Sequence, residues 1–317
     1  MFNTNRIVLL AMVLLSVLIG SSQVICAPVR KGVDPINPTV PRLMINVWKR
    51  MWLESPVGKI VDNSTIVYNV QTDSMYADIR IPATRSSHLR SIPSLSKYTM
   101  NELMELAQQK SFAGYSHASE MDWICIWDRE IDYQPFTGDF DIGHVDPFTL
   151  RPIMIEEGIN GDDYREIWDP LFLNDDQCGK THNLSLVSLE LESEIVNGQH
   201  TKDIKGFMVI NCNVFIYQID KRDFILPNAN SLIDLFNSQH YSREKIEQVL
   251  SSYVSNFGEK QGNGWHVHLS TFPYLEQKNL EGQFILDSNN KRVIQRVEES
   301  GTVRLWKIHT MTYNPFN

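Results

Sequence analysis

Alternation of residue types with a period of two runs through most of this 317-residue chain and restricts its fold more than any other feature. The pattern begins at 65–71 and resumes at 75–82, after a turn at Asp73-Ser74. Successive side chains of a β-strand point to opposite faces, so alternation over four to eight residues indicates strands with two unlike faces. We therefore expect a mainly β protein.

Further short strand-like segments are separated by Gly, Asp, Asn and Pro, a spacing typical of β-sandwiches and barrels. They lie at 123–134, 140–143, 153–158, 164–168, 184–192, 205–220, 265–272, 283–286, 292–298 and 302–312. A few helices are also expected. One runs from a cap at Thr39 to about Leu53, one begins at the capping box of Thr99 and Glu102, and one spans 242–257 before Gly258.

The N-terminus has the layout of a cleaved export signal. Arg6 precedes an apolar stretch at 7–19, and the small residues Val24 and Cys26 suit a cleavage site after residue 26. This stretch is shorter than the ~20 apolar residues of a membrane-spanning helix, and no later segment is long enough to span. We expect 1–26 to be a signal peptide, and the mature chain to be secreted, extracellular and without a membrane span.

A chain that is exported from the cell can carry N-linked glycans and disulfide bonds. Sequons place N-glycosylation candidates at Asn63 and Asn183, each beside a strand-like segment. Loss of the signal leaves three cysteines, Cys125, Cys178 and Cys212. They allow one disulfide and one spare thiol, and a Cys178 bond to either of the others is compatible with the sequence. The spare thiol is expected to be buried rather than catalytic.

Charge and missing motifs exclude several function classes. The net charge is −9 and no basic stripe occurs, which argues against nucleic acid and anionic lipid surfaces as partners. The sequence has no Gly-rich phosphate loop, Gly-x-Ser-x-Gly elbow, His-Glu-x-x-His or Cys-x-x-Cys motif. Nucleotide-dependent enzymes, elbow-type hydrolases, zincins and thioredoxin-like proteins are therefore disfavoured, and no cofactor is expected.

Three predicted strands carry an unusual mixture of aromatic and charged residues. In the longest, alternation puts on one face Trp123, Cys125, Trp127, Arg129, Ile131 and Tyr133. In a second strand, one face carries Tyr164, Glu166 and Trp168. In a third strand, one face carries Tyr76, Asp78 and Arg80. Such faces suit the interior of a small barrel, where inward side chains fill the lumen or surround a ligand.

Two interpretations of these faces remain open. The charges form a structural ion-pair network that fixes the barrel register, or they orient a flat ligand held by the aromatic residues. In the second case we expect a proton to be moved by Asp78 or Glu166, and a developing anion to be stabilised by Arg80 or Arg129. The ligand-binding candidates are Tyr76, Trp123, Trp127, Tyr133, Tyr164 and Trp168.

Two histidines are weaker candidates for a metal site. His266 and His268 are two residues apart on a predicted strand and therefore share a face. No third ligand can be assigned from the sequence. Two partly exposed strand histidines are the favoured interpretation.

The motifs also resemble those of a known family when they are taken in order. The ordered segments are Tyr-Ala-Asp-Ile-Arg-Ile-Pro at 76–82, Phe-Ala-Gly at 112–114, Trp-Asp-Arg-Glu-Ile-Asp-Tyr-Gln-Pro at 127–135, Asp-Ile-Gly at 141–143 and Tyr-Arg-Glu-Ile-Trp at 164–168. They resemble a group of uncharacterised bacterial proteins and, distantly, the lipocalin-like family that includes a yeast casein-kinase-interacting protein. The resemblance covers roughly 65–170 and implies a calycin-type β-barrel, alone or as two in tandem, without an assured activity.

The resulting expectation is a lipocalin-like β-barrel protein with a few helices. Its parts are the signal peptide 1–26, an extended leader and short helix at 27–60, a first barrel at 61–175, and a second β-rich unit at 176–317 that contains the helix 242–257. The favoured function is a secreted, cofactor-independent enzyme acting on a small aromatic or hydrophobic molecule, isomerase-like or oxidase- and luciferase-like. The alternatives are a secreted carrier of a small hydrophobic ligand and an extracellular structural or interaction protein.

Overall fold

The computed structural model describes residues 40–119, 121–136, 141–146, 153–159, 162–172, 185–201, 203–224 and 226–316. The expected signal peptide, Cys178 and Asn183 lie outside these residues. The protein is mainly β, as the alternation predicts. The first sheet consists of β1 (Val47–Glu54), β2 (Ile60–Asp62), β3 (Ile66–Gln71), β4 (Met75–Ile81), β5 (Lys110–Ala118), β6 (Ile124–Asp132), β7 (Asp141–Asp146), β8 (Met154–Gly158) and β9 (Arg165–Pro170).

Eight strands of this sheet close into an antiparallel barrel. Their order is β1-β3-β4-β5-β6-β7-β8-β9, and β1 also pairs with β9, for example at Arg50 opposite Trp168. The short strand β2 extends β1 outside the closed ring. The expectation of a barrel is confirmed.

Residues 47–54 form a strand of this barrel, so the helix expected from Thr39 to Leu53 is wrong. Only a 3-10 turn forms at Arg42–Met44, and the chain then enters β1. Trp48 faces the barrel interior, whereas Val47 belongs to the core outside it. The spacing of these apolar residues also suits a helix, but β1 supplies hydrogen-bond partners to two strands that would otherwise be exposed edges.

The second sheet is a curled half-barrel rather than a second closed barrel. Its strands are β10 (Leu186–Val196), β11 (Gln199–Thr201), β12 (Lys205–Asn211), β13 (Val214–Asp220), β14 (Tyr253–Gln261), β15 (Gly264–Ser270), β16 (Gln283–Leu286), β17 (Arg292–Val297) and β18 (Thr302–Met311). The order is β15-β14-β13-β12-β10-β18-β17-β16, and β11 pairs with β10. One face of β13 packs against the outside of β4 in a shared apolar core that includes Ile216, Ala77 and Ile79.

Three α-helices lie among the described residues. They are α1 (Met100–Leu106), α2 (Leu232–Ser238) and α3 (Arg243–Ser251). The capping box of Thr99 and Glu102 starts α1, as predicted. No helix in the described ranges is both long and apolar enough to cross a membrane.

The helix expected over 242–257 is too long, because α3 ends at Ser251 and β14 begins at Tyr253. Tyr253 and Phe257 satisfy both helical and strand spacing, and pairing with β13 and β15 favours the strand. Gly258 is not a helix stop but lies within β14. A Cβ atom there would come within 1.9 Å of the carbonyl oxygen of His266.

Candidate functional site

The three faces singled out in the sequence converge inside the closed barrel. A cavity of about 20 Å³ lies there, which is room for about one water molecule. Its wall is formed by Met44, Trp48, Asn69, Gln71, Tyr76, Asp78, Arg80, Phe112, Trp127, Asp141, Met154, Glu156 and Trp168. Five of the ten expected site residues line it directly, namely Tyr76, Asp78, Arg80, Trp127 and Trp168.

A β-bulge in β6 decides which neighbours of Arg129 face the cavity. Gly114 pairs with Arg129 but Ala113 pairs with Ile131, so Glu130 is an extra residue that reverses the alternation. A Cβ atom on Gly114 would lie 1.9 Å from the carbonyl oxygen of Asp128, so the bulge requires glycine there. After the bulge Asp132 takes an inward position beside Arg129, and Ile131 joins the core outside the barrel.

The bulge also makes the expected position of Tyr133 wrong. Tyr133 packs outside the barrel, with its ring 5.5 Å from that of Tyr253 in a T-shaped contact. Its hydroxyl donates to the carbonyl oxygen of Leu106 at 3.1 Å. Tyr133 therefore belongs to the packing between the barrel and the half-barrel rather than to the cavity.

Two other expected ligand contacts lie at the border of the site. Trp123 has a positive φ of 54° in the turn before β6, where it packs half-buried against the interior cluster without lining the cavity. Tyr164 lies just before β9 and donates its hydroxyl to Oε1 of Glu156 at 3.1 Å. Tyr164 therefore reaches the cavity wall through that carboxyl group.

Arginine–carboxylate pairs link the inward faces of several strands. Arg50 lies with its Nη1 2.5 Å from Oε1 of Glu166 and also bonds Asp62. Arg80 approaches the same Glu166 oxygen at 3.3 Å and bonds Asp78 at 2.9 Å. Glu166 and Asp78, both expected in the site, are thus held by guanidinium groups as buried charges require.

Arg129 forms a separate group of ion pairs within the barrel interior. Its guanidinium bonds Asp141 at 2.6 Å and Asp132 at 2.8 Å, and lies 3.8 Å from the ring centre of Phe112. Arg80 lies over the same ring at 5.1 Å. Arg129 does not line the cavity itself, but Asp141 and Phe112 connect it to the wall.

The interior contains more carboxyl groups than cations. Three arginines, Arg50, Arg80 and Arg129, face six acids, Asp62, Asp78, Asp132, Asp141, Glu156 and Glu166. Among the described residues, no cationic group lies within ion-pair distance of Glu156. Burial, followed by repulsion from Glu166 and Asp141, raises the pKa of Glu156 well above its ordinary value. Burial therefore favours the neutral, protonated form of Glu156.

Burial also changes the properties of two neighbouring groups. It raises the pKa of Asp78 despite the attraction of Arg80. It raises the pKa of Tyr76 well above its ordinary value, with Asp141 as the second cause. The Tyr76 hydroxyl therefore stays protonated and is a hydrogen-bond donor.

Two donors on the cavity wall lack partners among the described residues. They are the hydroxyl of Tyr76 and the indole Nε1–H of Trp168, and both atoms are buried. A buried donor without a hydrogen bond costs about 1–3 kcal/mol. Such groups are rare in native proteins and are usually explained by a water, an ion or a ligand.

Sequence reasoning missed five charged residues of this interior, namely Arg50, Asp62, Asp132, Asp141 and Glu156. Arg50 lies in the segment assigned to a helix, and Asp132 faces inward only because of the bulge. Glu156 lies in a strand that was recognised, but Glu157 beside it is equally acidic, so no pattern marks the inward one. Asp141 lies in the strand expected at 140–143, but so short a segment does not show which of its faces points inward.

The metal and glycosylation candidates lie elsewhere. The His266 and His268 rings are 5.2 Å apart, and His268 lies 3.4 Å from Glu259. Within the described ranges, no group of three or more His, Cys, Asp or Glu side chains is arranged to hold a metal. Asn63 is exposed in the bend between β2 and β3.

The two cysteines among the described residues differ: one is a buried free thiol and the other forms a disulfide. Cys125 is free and buried in the interior cluster of the barrel. Burial raises the pKa of its thiol well above the ordinary value, which makes it unreactive. Cys212 is disulfide-bonded to a partner outside the described residues.

Comparisons with known proteins do not assign a family. No protein-family profile matches the chain, and no curated protein matches it either. A crystal structure of an uncharacterised Saccharomyces cerevisiae protein, YLR301w, is similar with 12% sequence identity and a TM-score of 0.48. The similarity covers 84% of this chain and 99% of the yeast chain. The barrel cavity is therefore the feature from which a function can be inferred.

Proposed function

We propose that this chain is a secreted, lipocalin-like protein whose barrel binds a small aromatic molecule carrying a hydrogen-bond acceptor. The unpartnered buried donors of Tyr76 and Trp168 carry the proposal, because both residues line the same cavity. An acceptor atom on a ligand would offset the free-energy cost of these two donors. Aromatic side chains of the wall supply the contact area that a flat ligand needs.

Ligand entry requires the cavity to widen, since its volume without ligand is about 20 Å³. Two methionines in the wall, Met44 and Met154, can change rotamer at low free-energy cost, because methionine is unbranched and flexible. Arg80 has about a fifth of its side chain exposed, which supports an entrance on its side of the cavity. A rotamer change of the methionines would enlarge the space behind this entrance.

A second candidate function is an enzyme that transfers a proton on the same ligand, and Glu156 favours it. A neutral carboxylic acid in a cavity wall is poised as a general acid. Its cross-strand neighbour Glu166 is held by two arginines, and carboxyl groups in such contrasting surroundings are typical of acid–base sites. Asp78 would be the alternative proton carrier, with Arg80 and Arg129 stabilising a developing anion.

The proposal is tested by screening small aromatic compounds, together with organic extracts of the natively purified protein, by quenching of tryptophan fluorescence. We expect one compound class to bind, and Tyr76→Phe or Trp168→Phe to weaken its binding about tenfold, the loss of one hydrogen bond to ligand. Tyr133→Phe is the matched control and should leave affinity unchanged. Equal losses for Tyr76→Phe and Tyr133→Phe, or binding by no compound, would overturn the proposal and favour a structural or interaction role.

The variant Glu156→Gln distinguishes an enzyme from a carrier. If the protein is an enzyme, Glu156→Gln abolishes turnover of the bound compound while affinity stays within about threefold, because the amide keeps the shape but loses the acidic proton. A wild-type protein that binds the compound and returns it unchanged is a carrier.

A further inference from the structure

We propose that the half-barrel holds a second, separate binding site, which takes a small neutral molecule with an apolar body and a hydroxyl or amide group. A cavity of about 310 Å³ opens between β13, β14, β15 and the loop that follows β15. The barrel cavity has only about 20 Å³. The volume of the half-barrel cavity falls in the range of about 300–1,000 Å³ that is typical of small-molecule sites.

Much of the wall of this cavity is apolar. Val254 and Val267 extend from β14 and β15 into it, and Leu275 and Leu280 close it from the loop. Tyr274 also lines the cavity, with its ring stacked on that of Phe272 at 5.6 Å. Burying the apolar body of a ligand against this wall contributes favourably to binding.

One buried acceptor of the wall lacks a partner within the described ranges. On β14, Tyr253 and Phe257 face the barrel, so Asn256 faces the half-barrel cavity. Asn256 is 3% exposed, and its Oδ1 atom has no hydrogen bond. A hydroxyl or N–H group on a ligand would satisfy this oxygen.

Charged groups at the cavity balance one another, and this balance determines which ligands fit. Arg304 bonds Glu194 at 2.6 Å and donates to the hydroxyl of Tyr217 at 3.1 Å. Lys221 bonds the same Glu194 carboxylate at 3.2 Å, and Glu281 lies on the wall as a second acid. Two cations therefore face two acids. An anionic ligand gains little net attraction, and a neutral polar group is preferred.

A neutral fluorescent amine with apolar rings, N-phenyl-1-naphthylamine, is a suitable probe, and its N-methyl derivative is the matched compound without the N–H donor. We expect one equivalent of the amine to bind with increased fluorescence. Leu275→Trp, which fills the cavity from a partly exposed loop position, should weaken binding at least about tenfold. Asn256→Leu should weaken binding of the amine about fivefold while leaving the N-methyl derivative unaffected.

Controls on the barrel distinguish this inference from the proposed barrel function. Tyr76→Phe should leave binding of N-phenyl-1-naphthylamine unchanged, and circular dichroism should show that each variant is folded. Unchanged binding in Leu275→Trp, or a loss caused by Tyr76→Phe instead, would place the probe outside the half-barrel cavity and overturn the inference. If Asn256→Leu changes the affinity for both compounds equally, the N–H donor of the ligand has no role in binding.

Discussion

Glu156 and Glu166 lie directly opposite each other on β8 and β9, and their surroundings in the barrel interior are opposite in character. Glu166 is within ion-pair distance of Arg50 and Arg80, whereas Glu156 receives a hydrogen bond from Tyr164. Two neighbouring carboxylates in a low-dielectric interior repel each other strongly. The proton therefore stays on Glu156, and the interior combines a neutral acid with a paired carboxylate.

The raised pKa of Glu156 predicts a pH-dependent gain of stability for Glu156→Gln. The native state keeps a proton that the unfolded chain releases near the ordinary value of 4.5, so wild-type stability falls as pH rises from 4.5 towards the native pKa. Gln carries no such proton. The free energy of unfolding of the variant, measured in urea, should equal that of wild type near pH 4. At higher pH the variant should become the more stable of the two, by up to about 1.4 kcal/mol for each pH unit.

Glu157→Gln is the control for this prediction. Glu157 is the next residue along β8, faces outward and pairs with Arg165 at 2.6 Å. The substitution makes the same Glu-to-Gln change at a partly exposed position, so the free-energy difference between variant and wild type should not grow with pH. If the free-energy difference between Glu156→Gln and wild type stays constant as pH rises above about 4, Glu156 is not the protonated acid of the interior.

Arg50→Met should be among the most destabilising single substitutions of a charged residue in this protein. Arg50 has only 4% of its side chain exposed and bonds both Glu166 and Asp62. Its loss leaves buried carboxyl groups with fewer cations, which costs about 3–5 kcal/mol. Arg292→Met removes an exposed pair with Glu192 and should lower stability far less in the same urea titrations, because water screens exposed ion pairs. Similar costs for the two variants would show that the interior network does not stabilise the barrel.

Removing the Tyr76 hydroxyl should stabilise the ligand-free protein. This hydroxyl is buried and has no hydrogen-bond partner in the described part of the chain, so Tyr76→Phe should raise the free energy of unfolding by about 1 kcal/mol or more. Tyr133→Phe, by contrast, removes a hydroxyl that donates a hydrogen bond to Leu106. This substitution should lower the free energy of unfolding by about 1 kcal/mol. Thermal unfolding of both variants, each purified free of bound compounds, provides the comparison. A Tyr76→Phe variant less stable than wild type would mean that this hydroxyl has a partner.

Peptide mapping under non-reducing conditions should find a disulfide between Cys178 and Cys212. Cys212 is bonded and Cys125 is free, and the expected cleavage after residue 26 leaves Cys178 as the remaining cysteine. Cys125 should react with iodoacetamide only after denaturation, because it is buried. Rapid alkylation of Cys125 in the native protein would contradict its position inside the barrel.

The sequence alone could predict strands where the two faces of a segment differ. The inward positions of Tyr76, Asp78 and Arg80 follow from period two within β4, and Trp127 follows in the same way within β6. Such alternation is a local property, so it can be read from neighbouring residues without knowing the fold.

The parts that could not be predicted depend on pairing between distant segments. Arg50 becomes an interior residue only when β1 pairs with β3 and β9, and its partner Glu166 is 116 residues away. Tyr133 lies on the outside because one extra residue, Glu130, interrupts the alternation in β6. The half-barrel cavity needs β13, β14 and β15 to assemble with the loop that follows β15, and no local pattern marks its wall.

A high-resolution crystal structure of the natively purified protein, soaked with the aromatic compound that quenches its tryptophan fluorescence, tests the account most directly. We predict electron density for that compound inside the barrel, with acceptor atoms at hydrogen-bond distance from the Tyr76 hydroxyl and the Trp168 indole nitrogen, and with changed rotamers of Met44 and Met154. Density for ordered water alone at both donors, with an unwidened cavity and the compound bound elsewhere, would contradict the barrel as a ligand site.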